Sequence, residues 1–146
     1  MPVIKYKKPD AATSFRMARV RHSGTAAELK VREVLRELGI HYRLQNSDLP
    51  GKPDLANRKR KWVIFVHGCF WHGHEGCPRA SRPRTNTEYW DKKILDNAAR
   101  DQRIRQQLEE GGWNVVTVWE CEVKKRNVMV NKLKDLIPRS RTAFCE

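Results

Sequence analysis

The chain has 146 residues, enough for one domain whose hydrophobic core requires neither disulfide bonds nor a metal. Its 30 Lys and Arg against 17 Asp and Glu leave a formal net charge of +13, which favours nucleic acid over a membrane surface as the partner. Apolar runs are too short to span a bilayer, and residues 1–8 lack the apolar core of a signal peptide. We therefore expect a cytosolic protein, in which cysteines bind metal or take part in catalysis more often than they form disulfides.

The N-terminal segment and the first helix differ in pattern. Residues 1–24 are basic and weakly apolar, which indicates an arm with one short helix around residues 11–21. Thr25 and Glu28 have the spacing of a capping box at the start of a helix, and Gly39 is placed to end it. Glu28 has two readings: it only caps the helix, or it points from the edge of the apolar face towards a site. We expect the folded domain over residues 25–138 and a basic tail over 139–146.

The next segment contains three predicted strands. Residues 40–44 indicate a short strand, and the turn sequence Pro-Gly-Lys-Pro-Asp at 50–54 leads into a second one. A basic turn then precedes the continuous apolar run 62–66, which is typical of a central strand buried on both faces. Asp54 therefore opens one strand, and His67 closes its neighbour.

The rest of the chain completes a layered domain. Residues 78–86 indicate a loop, after which Thr87 caps a long helix that Gly111 and Gly112 end. Residues 115–119 indicate a further strand, and residues 127–137 a closing helix. This order predicts an α/β fold with a mixed central sheet flanked by helices.

A dense group of metal-binding side chains follows the central strand. Cys69, His74 and Cys77 lie within nine residues, and Cys121 follows a strand that can lie beside the first. Three Cys and one His would close a tetrahedral structural zinc site. The alternative is that Cys121 and one other cysteine are buried free thiols. Cys145, in the tail, has no such neighbour.

Two further histidines near the central strand indicate phosphodiester cleavage. His67 and His72 lie near the strand end that faces Asp54, which can hold Mg²⁺ while an imidazole moves a proton. Taken singly, each histidine can also be a polar residue beside a metal loop. For Phe70 and Trp71, the residues alone support two roles equally: packing beneath the loop, and wedging into a DNA base stack.

Three motifs together resemble the very short patch repair (Vsr) family of DNA mismatch endonucleases. They are Pro50–Asp54, the run from Val63 to His74 with Cys77, and Val118–Cys121. The resemblance implies a restriction-endonuclease-like fold of the PD-(D/E)XK type with a structural zinc site. It also implies Mg²⁺-dependent nicking of double-stranded DNA on the 5′ side of the thymine in a T:G mismatch.

The resemblance also implies residue roles. Asp54 would bind Mg²⁺, His72 would transfer the proton, and Glu28 and His67 would complete the site. The structural zinc ligands would be Cys69, His74, Cys77 and Cys121, and the DNA-binding residues Met17, Phe70, Trp71, Lys93 and Asn97. Among the latter, Phe70 and Trp71 would intercalate, with Met17 entering from the other groove. The His74–Cys77 interval is one residue longer than the family pattern, so His72 is the competing zinc ligand.

Two alternatives to this function stay open. One is a restriction-like nuclease with broader mismatch or lesion specificity, and the other is a non-catalytic, zinc-stabilised DNA-binding module. A carboxylate at Asp54 favours catalysis, because a pure binder gains little from a negative charge facing a phosphate. We expect a monomer, and the resemblance implies a functional link to a cytosine DNA methyltransferase.

Overall fold

A computed structural model of the protein describes residues 25–81 and 84–136. Met17, the N-terminal arm and its expected helix, the tail and Cys145 lie outside these residues. The regular elements are α1 (Ala26–Glu37), β1 (Leu55–Asn57), β2 (Trp62–His67), α2 (Thr87–Glu110), β3 (Asn114–Trp119) and α3 (Arg126–Leu133). Single 3₁₀ turns occur at Pro78–Ala80, Glu122–Lys124 and Lys134–Leu136.

Helix α1 begins and ends where the pattern predicts. The Glu28 backbone N–H donates to Thr25 Oγ1 at 3.2 Å, which satisfies one of the unpaired donors at the helix start. Gly39 follows the helix with a φ of 71°, a conformation that glycine adopts without steric strain. The buried face of α1 therefore begins at Glu28.

The sheet is mixed and has the order β1-β2-β3. Strand β1 pairs antiparallel with β2, with Leu55 opposite Ile64, whereas β2 pairs in parallel with β3, with His67 beside Trp119. Because β2 and β3 are parallel, the residues that follow both strands emerge at one edge of the sheet. This arrangement brings the segment after His67 next to the segment after Trp119.

Both faces of the sheet are covered. Ile64 and Val118 point to one face and pack with residues of α1 and α3, such as Leu35 and Leu133. The other face is buried under α2 and contains Ala56, Val63, Phe65, Val115 and, from α2, Leu108. Strand β2 is thus the central strand, which the apolar run at 62–66 predicted.

The strand predicted at residues 40–44 is wrong. Only an isolated bridge forms there, in which the backbones of Arg43 and Ala56 exchange two hydrogen bonds. Gln45 then turns away with a φ of 56°, and the buried Asn46 side chain donates to the Arg43 and Pro53 carbonyls. The Asn46 amide therefore replaces a strand ladder as the partner of these backbone groups.

Two helix boundaries also differ from prediction. Thr87 is the first residue of α2 and does not cap it; the cap position belongs to Asn86, whose φ of 58° is tolerated by asparagine. The closing helix is shorter than residues 127–137, because α3 ends at Leu133 and a 3₁₀ turn follows. Within the described ranges, no helix is both long and apolar enough to cross a membrane.

Candidate active site and metal centre

Asp54 lies where the pairing between β1 and β2 stops. Its Oδ2 accepts a hydrogen bond from the Val66 backbone N–H at 2.7 Å, so the carboxylate is fixed at the end of the central strand. Burial raises the pKa of Asp54 to about 6, the Val66 N–H opposes this rise, and the adjacent Glu28 carboxylate adds to it. A half-buried acid beside a buried second acid is a pair that a divalent cation would stabilise.

The Glu28 carboxylate lies beside Asp54. The backbone N–H of Glu28 is capped by Thr25, while its side chain contacts Asp54 and is only 5% exposed. Arg32, one turn further along α1, donates from Nη2 to Glu28 Oε2 at 2.6 Å. This cation offsets the charge of a buried carboxylate that already has an acidic neighbour.

His67 and His72 form a stacked pair directly after the central strand. Their ring centroids are 3.8 Å apart and their planes differ by 4°. Burial and the neighbouring His72 lower the pKa of His67 to about 4, partly opposed by the Asp101 carboxylate, so His67 is neutral at physiological pH. His72 Nδ1 lies 2.5 Å from Asp101 Oδ2.

Asp101 is the one member of this group that sequence reasoning missed. It comes from α2, and its contact with His72 crosses 29 residues of sequence. A signal was present, because Ile94, Asn97 and Asp101 follow helical spacing and Ile94 is buried. A carboxylate on Nδ1 holds a histidine in one orientation and one tautomer, leaving Nε2 directed elsewhere.

The predicted metal ligands converge. One ligand atom from each of Cys69, His74, Cys77 and Cys121 lies within 4.8 Å of every other. Cys69 follows β2 and Cys121 follows β3, so the parallel pairing of these strands brings the two thiols together. Burial and the adjacent Cys121 and Cys77 thiols raise the pKa of Cys69 to about 12. This Cys/His cluster could hold a metal ion, and its donor set suits zinc.

His72 and His74 belong to different clusters. His74 lies with the cysteines, its Nδ1 3.4 Å from Cys121 Sγ, whereas His72 lies with His67 and Asp101. Gly73 between them has a φ of 63°, and a Cβ there would come within 2.5 Å of Ile94. Glycine therefore permits the turn that sends two nearby histidines to two sites.

Phe70 and Trp71 both pack and remain partly exposed. Their rings meet the buried Trp90 edge-on, at 5.4 and 5.8 Å between centroids. Lys93 Nζ lies 5.8 Å from the Trp71 ring centroid, and Asn97 donates to the Trp71 carbonyl at 2.9 Å. Helix α2 thus supports the aromatic pair from below and places Lys93 and Asn97 beside it.

Comparison with known proteins identifies a matching family and relatives of this chain. The family model described as "DNA mismatch endonuclease Vsr" matches residues 6–78, half of the chain. The type II nicking enzyme V.XorIIP of Xanthomonas oryzae pv. oryzae is 42% identical over 124 residues, covering 85% of this chain and 90% of that protein. V.NmeAIP, a type II nicking enzyme of Neisseria meningitidis serogroup A, is 38% identical over 130 residues, covering 89% and 92%.

A third relative carries the family name itself. The DNA mismatch endonuclease Vsr of Escherichia coli K12 is 38% identical over 122 residues, which cover 84% of this chain and 78% of that protein. The chain is therefore a DNA endonuclease and belongs to the Vsr family of DNA mismatch endonucleases.

Proposed function

We propose that the protein nicks one strand of double-stranded DNA on the 5′ side of the thymine in a T:G mismatch, in a reaction that requires Mg²⁺. The observation that carries this proposal is the presence of two pairs of side chains near the end of β2. Asp54, which is half-buried, and the buried Glu28 form a carboxylate pair, and His72 with Asp101 forms an oriented imidazole. Residues 25–81 and 84–136 contain one such site, which suits a monomer that cuts a single strand.

Asp54, together with Glu28, would hold the magnesium. Their oxygen donors and their mutual repulsion in a buried position fit a hard divalent cation. When bound, Mg²⁺ polarises the phosphate and lowers the pKa of a water molecule. Phe65 is buried where nucleases with a PD-(D/E)XK fold usually carry a second acid, so Glu28 supplies that carboxylate from α1.

His72 is the proton-transfer residue in this proposal. Because Asp101 occupies Nδ1, the ring presents Nε2 to the reacting atoms, where it takes a proton from the attacking water. His67 stays neutral and stacks on His72, so it limits rotation of that ring without adding a second positive charge. Asp101 acts through His72 by fixing its tautomer.

The Cys/His cluster would hold a structural zinc ion. Three thiolates and one imidazole would supply four ligands, which would leave no open position for chemistry. The cluster connects the end of β2 to the loop that follows it and to the end of β3. The histidine pair and the aromatic pair both belong to that loop region, so the metal supports both.

Mismatch recognition is assigned to the aromatic pair and its neighbours. Phe70 and Trp71 would enter the base stack from the loop, while Met17 on the N-terminal arm would contact the other groove. Lys93 and Asn97 would face the mismatched bases, because both lie on α2 beside Trp71. Repair of deaminated methylcytosine would connect this activity to a cytosine DNA methyltransferase.

Nicking of duplexes that differ in a single base pair tests the proposal. With Mg²⁺, a T:G duplex is expected to be cut on the thymine strand, whereas the matched T:A and C:G duplexes stay intact. EDTA should abolish the cut. Comparable cutting of several other mismatches would overturn the T:G assignment in favour of a nuclease with broader specificity.

Trp71→Ala is expected to weaken binding to T:G DNA by about 1–3 kcal/mol, the range of a lost base–aromatic stack. Binding to matched DNA should change far less, because a wedge acts only where the stack opens. Fluorescence anisotropy on the two duplexes measures both affinities. Leu95→Ala, which removes a 66% exposed side chain from α2, is the control and should change neither. Equal losses on both duplexes would assign Trp71 to packing.

A further inference from the structure

Trp119 occupies a position between the two clusters. It ends β3 and lies beside His67 across the parallel pairing, so both side chains point to the face covered by α2. The His74 ring stacks on the indole, with centroids 4.1 Å apart and planes 10° apart. The His67 ring meets the same indole edge-on, with centroids 5.3 Å apart and planes 73° apart.

These contacts make a continuous series of four rings. His74 belongs to the Cys/His cluster, Trp119 follows, and His67 comes next and stacks on His72. A cleft of about 470 Å³ between α2 and β3 opens beside all four rings. The side chains of α2 therefore do not fill the space beside the four rings, and the rings depend on one another for their orientation.

We propose that Trp119 is a positioning residue that sets the orientation of His67, and through it of His72, against the metal-bound loop. This inference rests on the proposed roles of the histidines and the zinc cluster. An indole suits the task because it is large enough to stack on one imidazole and touch another at an angle. A phenyl ring at this position can keep one of the two contacts, and an aliphatic side chain keeps neither ring contact.

The backbone at Trp119 is held independently of its side chain. The Trp119 N–H donates to Glu122 Oε1 at 3.0 Å, and Lys132 Nζ holds the same oxygen at 2.7 Å. Lys132 also donates to the Thr117 carbonyl at 2.8 Å. Loss of the indole should therefore leave the end of β3, and with it Cys121, in place.

The test replaces Trp119 by Leu and by Phe. Trp119→Leu is expected to lower kcat on a T:G duplex by about 10- to 100-fold, the effect of a misplaced catalytic group. Trp119→Phe should lower kcat by about 3- to 10-fold, since one ring contact survives. In both variants, the affinity for T:G DNA and the content of one zinc per chain should stay as in the wild type. The imidazole ¹H–¹⁵N NMR signals of His67 and His72 should shift.

Trp113→Leu is the matched control. Trp113 precedes β3 at its opposite end and packs against the cluster under α2, so its loss removes the same mass without touching the histidines. Its kcat and histidine signals are expected to match those of the wild type. This comparison separates positioning of the histidines from a general loss of packing.

Three results would overturn the inference. They are a wild-type kcat in Trp119→Leu, loss of zinc in either variant, and parallel losses of kcat and DNA affinity. If Trp119→Leu does not fold, an unchanged kcat and unchanged histidine signals in Trp119→Phe decide against the inference. His72→Ala distinguishes failure of the proposed function from failure of this inference. Wild-type nicking by His72→Ala contradicts the proposed function itself. If His72→Ala is inactive and Trp119→Leu is fully active, only the role of Trp119 is contradicted.

Discussion

Replacing Asp54 by Asn is expected to abolish nicking while making the metal-free protein more stable. Asn keeps an oxygen that can accept from the Val66 N–H, so the local fold is preserved. It removes the negative charge that would hold Mg²⁺ against the scissile phosphate. We expect kcat to fall at least about 1,000-fold, or about 4 kcal/mol of lost transition-state stabilisation, with DNA affinity within a few-fold of the wild type.

The gain in stability follows from the raised pKa of Asp54. Among the effects that raise the pKa of Asp54, burial is the largest and the Glu28 carboxylate comes second. Both disfavour the charged form, so ionised Asp54 destabilises the metal-free fold. A rise from 3.8 to about 6 in the pKa corresponds to about 3 kcal/mol at neutral pH, and partial exposure of the side chain reduces this to about 1–2 kcal/mol. The stability that protonated Asp54 provides is complete below pH 3.8 and is lost as the pH rises through about 6.

Urea unfolding in EDTA at several pH values measures this difference. The unfolding free energy of Asp54→Asn should exceed that of the wild type at pH 8 and approach it near pH 4. Ca²⁺ or Mg²⁺ at pH 8 should stabilise the wild type alone. Asp48→Asn is the control, because Asp48 lies in the same loop but is exposed and paired with Arg58. Wild-type nicking by Asp54→Asn would show that the proposed magnesium site is wrong.

The predictable parts of the fold are those in which local pattern and burial agree. The run at 62–66 is apolar on both faces of a strand, and that strand is indeed the centre of the sheet. Thr25 and Gly39 delimit α1 because capping chemistry acts over only a few residues. The strand prediction at residues 40–44 was wrong because tertiary contacts, and not the local pattern, decide the structure there. Their hydrogen bonds depend on Asn46, whose buried amide reaches the backbone of Pro53.

Some residues of the candidate site could likewise be predicted from local pattern, and others could not. Cys69, His74 and Cys77 could be grouped from spacing, because three soft ligands within nine residues are hard to explain as packing. Asp101 was missed, because α2 carries many charged side chains and helical spacing alone does not show which of them contacts His72. Whether Phe70 and Trp71 pack or wedge also depends on tertiary structure. Trp90, which supports both rings, lies about 20 residues further along the chain.

Loss of the Cys/His cluster should abolish activity while leaving the core of the domain folded. Cys69→Ser removes a fully buried thiol of the cluster two residues after His67, so the histidine pair and the aromatic pair would lose the support of the proposed zinc ion. The two hydrophobic clusters on either side of the sheet contain no metal ligand, so they should persist. We therefore expect native-like far-ultraviolet circular dichroism, no nicking of T:G DNA, and less than one zinc per chain.

The Cys69→Ser variant should also melt earlier. A structural zinc ion contributes roughly 10 kcal/mol in small zinc-dependent domains, and the independent core here limits the loss to about 3–5 kcal/mol. In a domain of this size, that loss lowers Tm by about 10–15 °C. Cys145→Ser, which changes the fourth cysteine of the sequence, should keep the zinc, the Tm and the activity of the wild type. If Cys69→Ser retains one tightly bound zinc and full nicking, the cluster does not hold the structural metal, because a buried serine hydroxyl cannot replace a thiolate in a closed site.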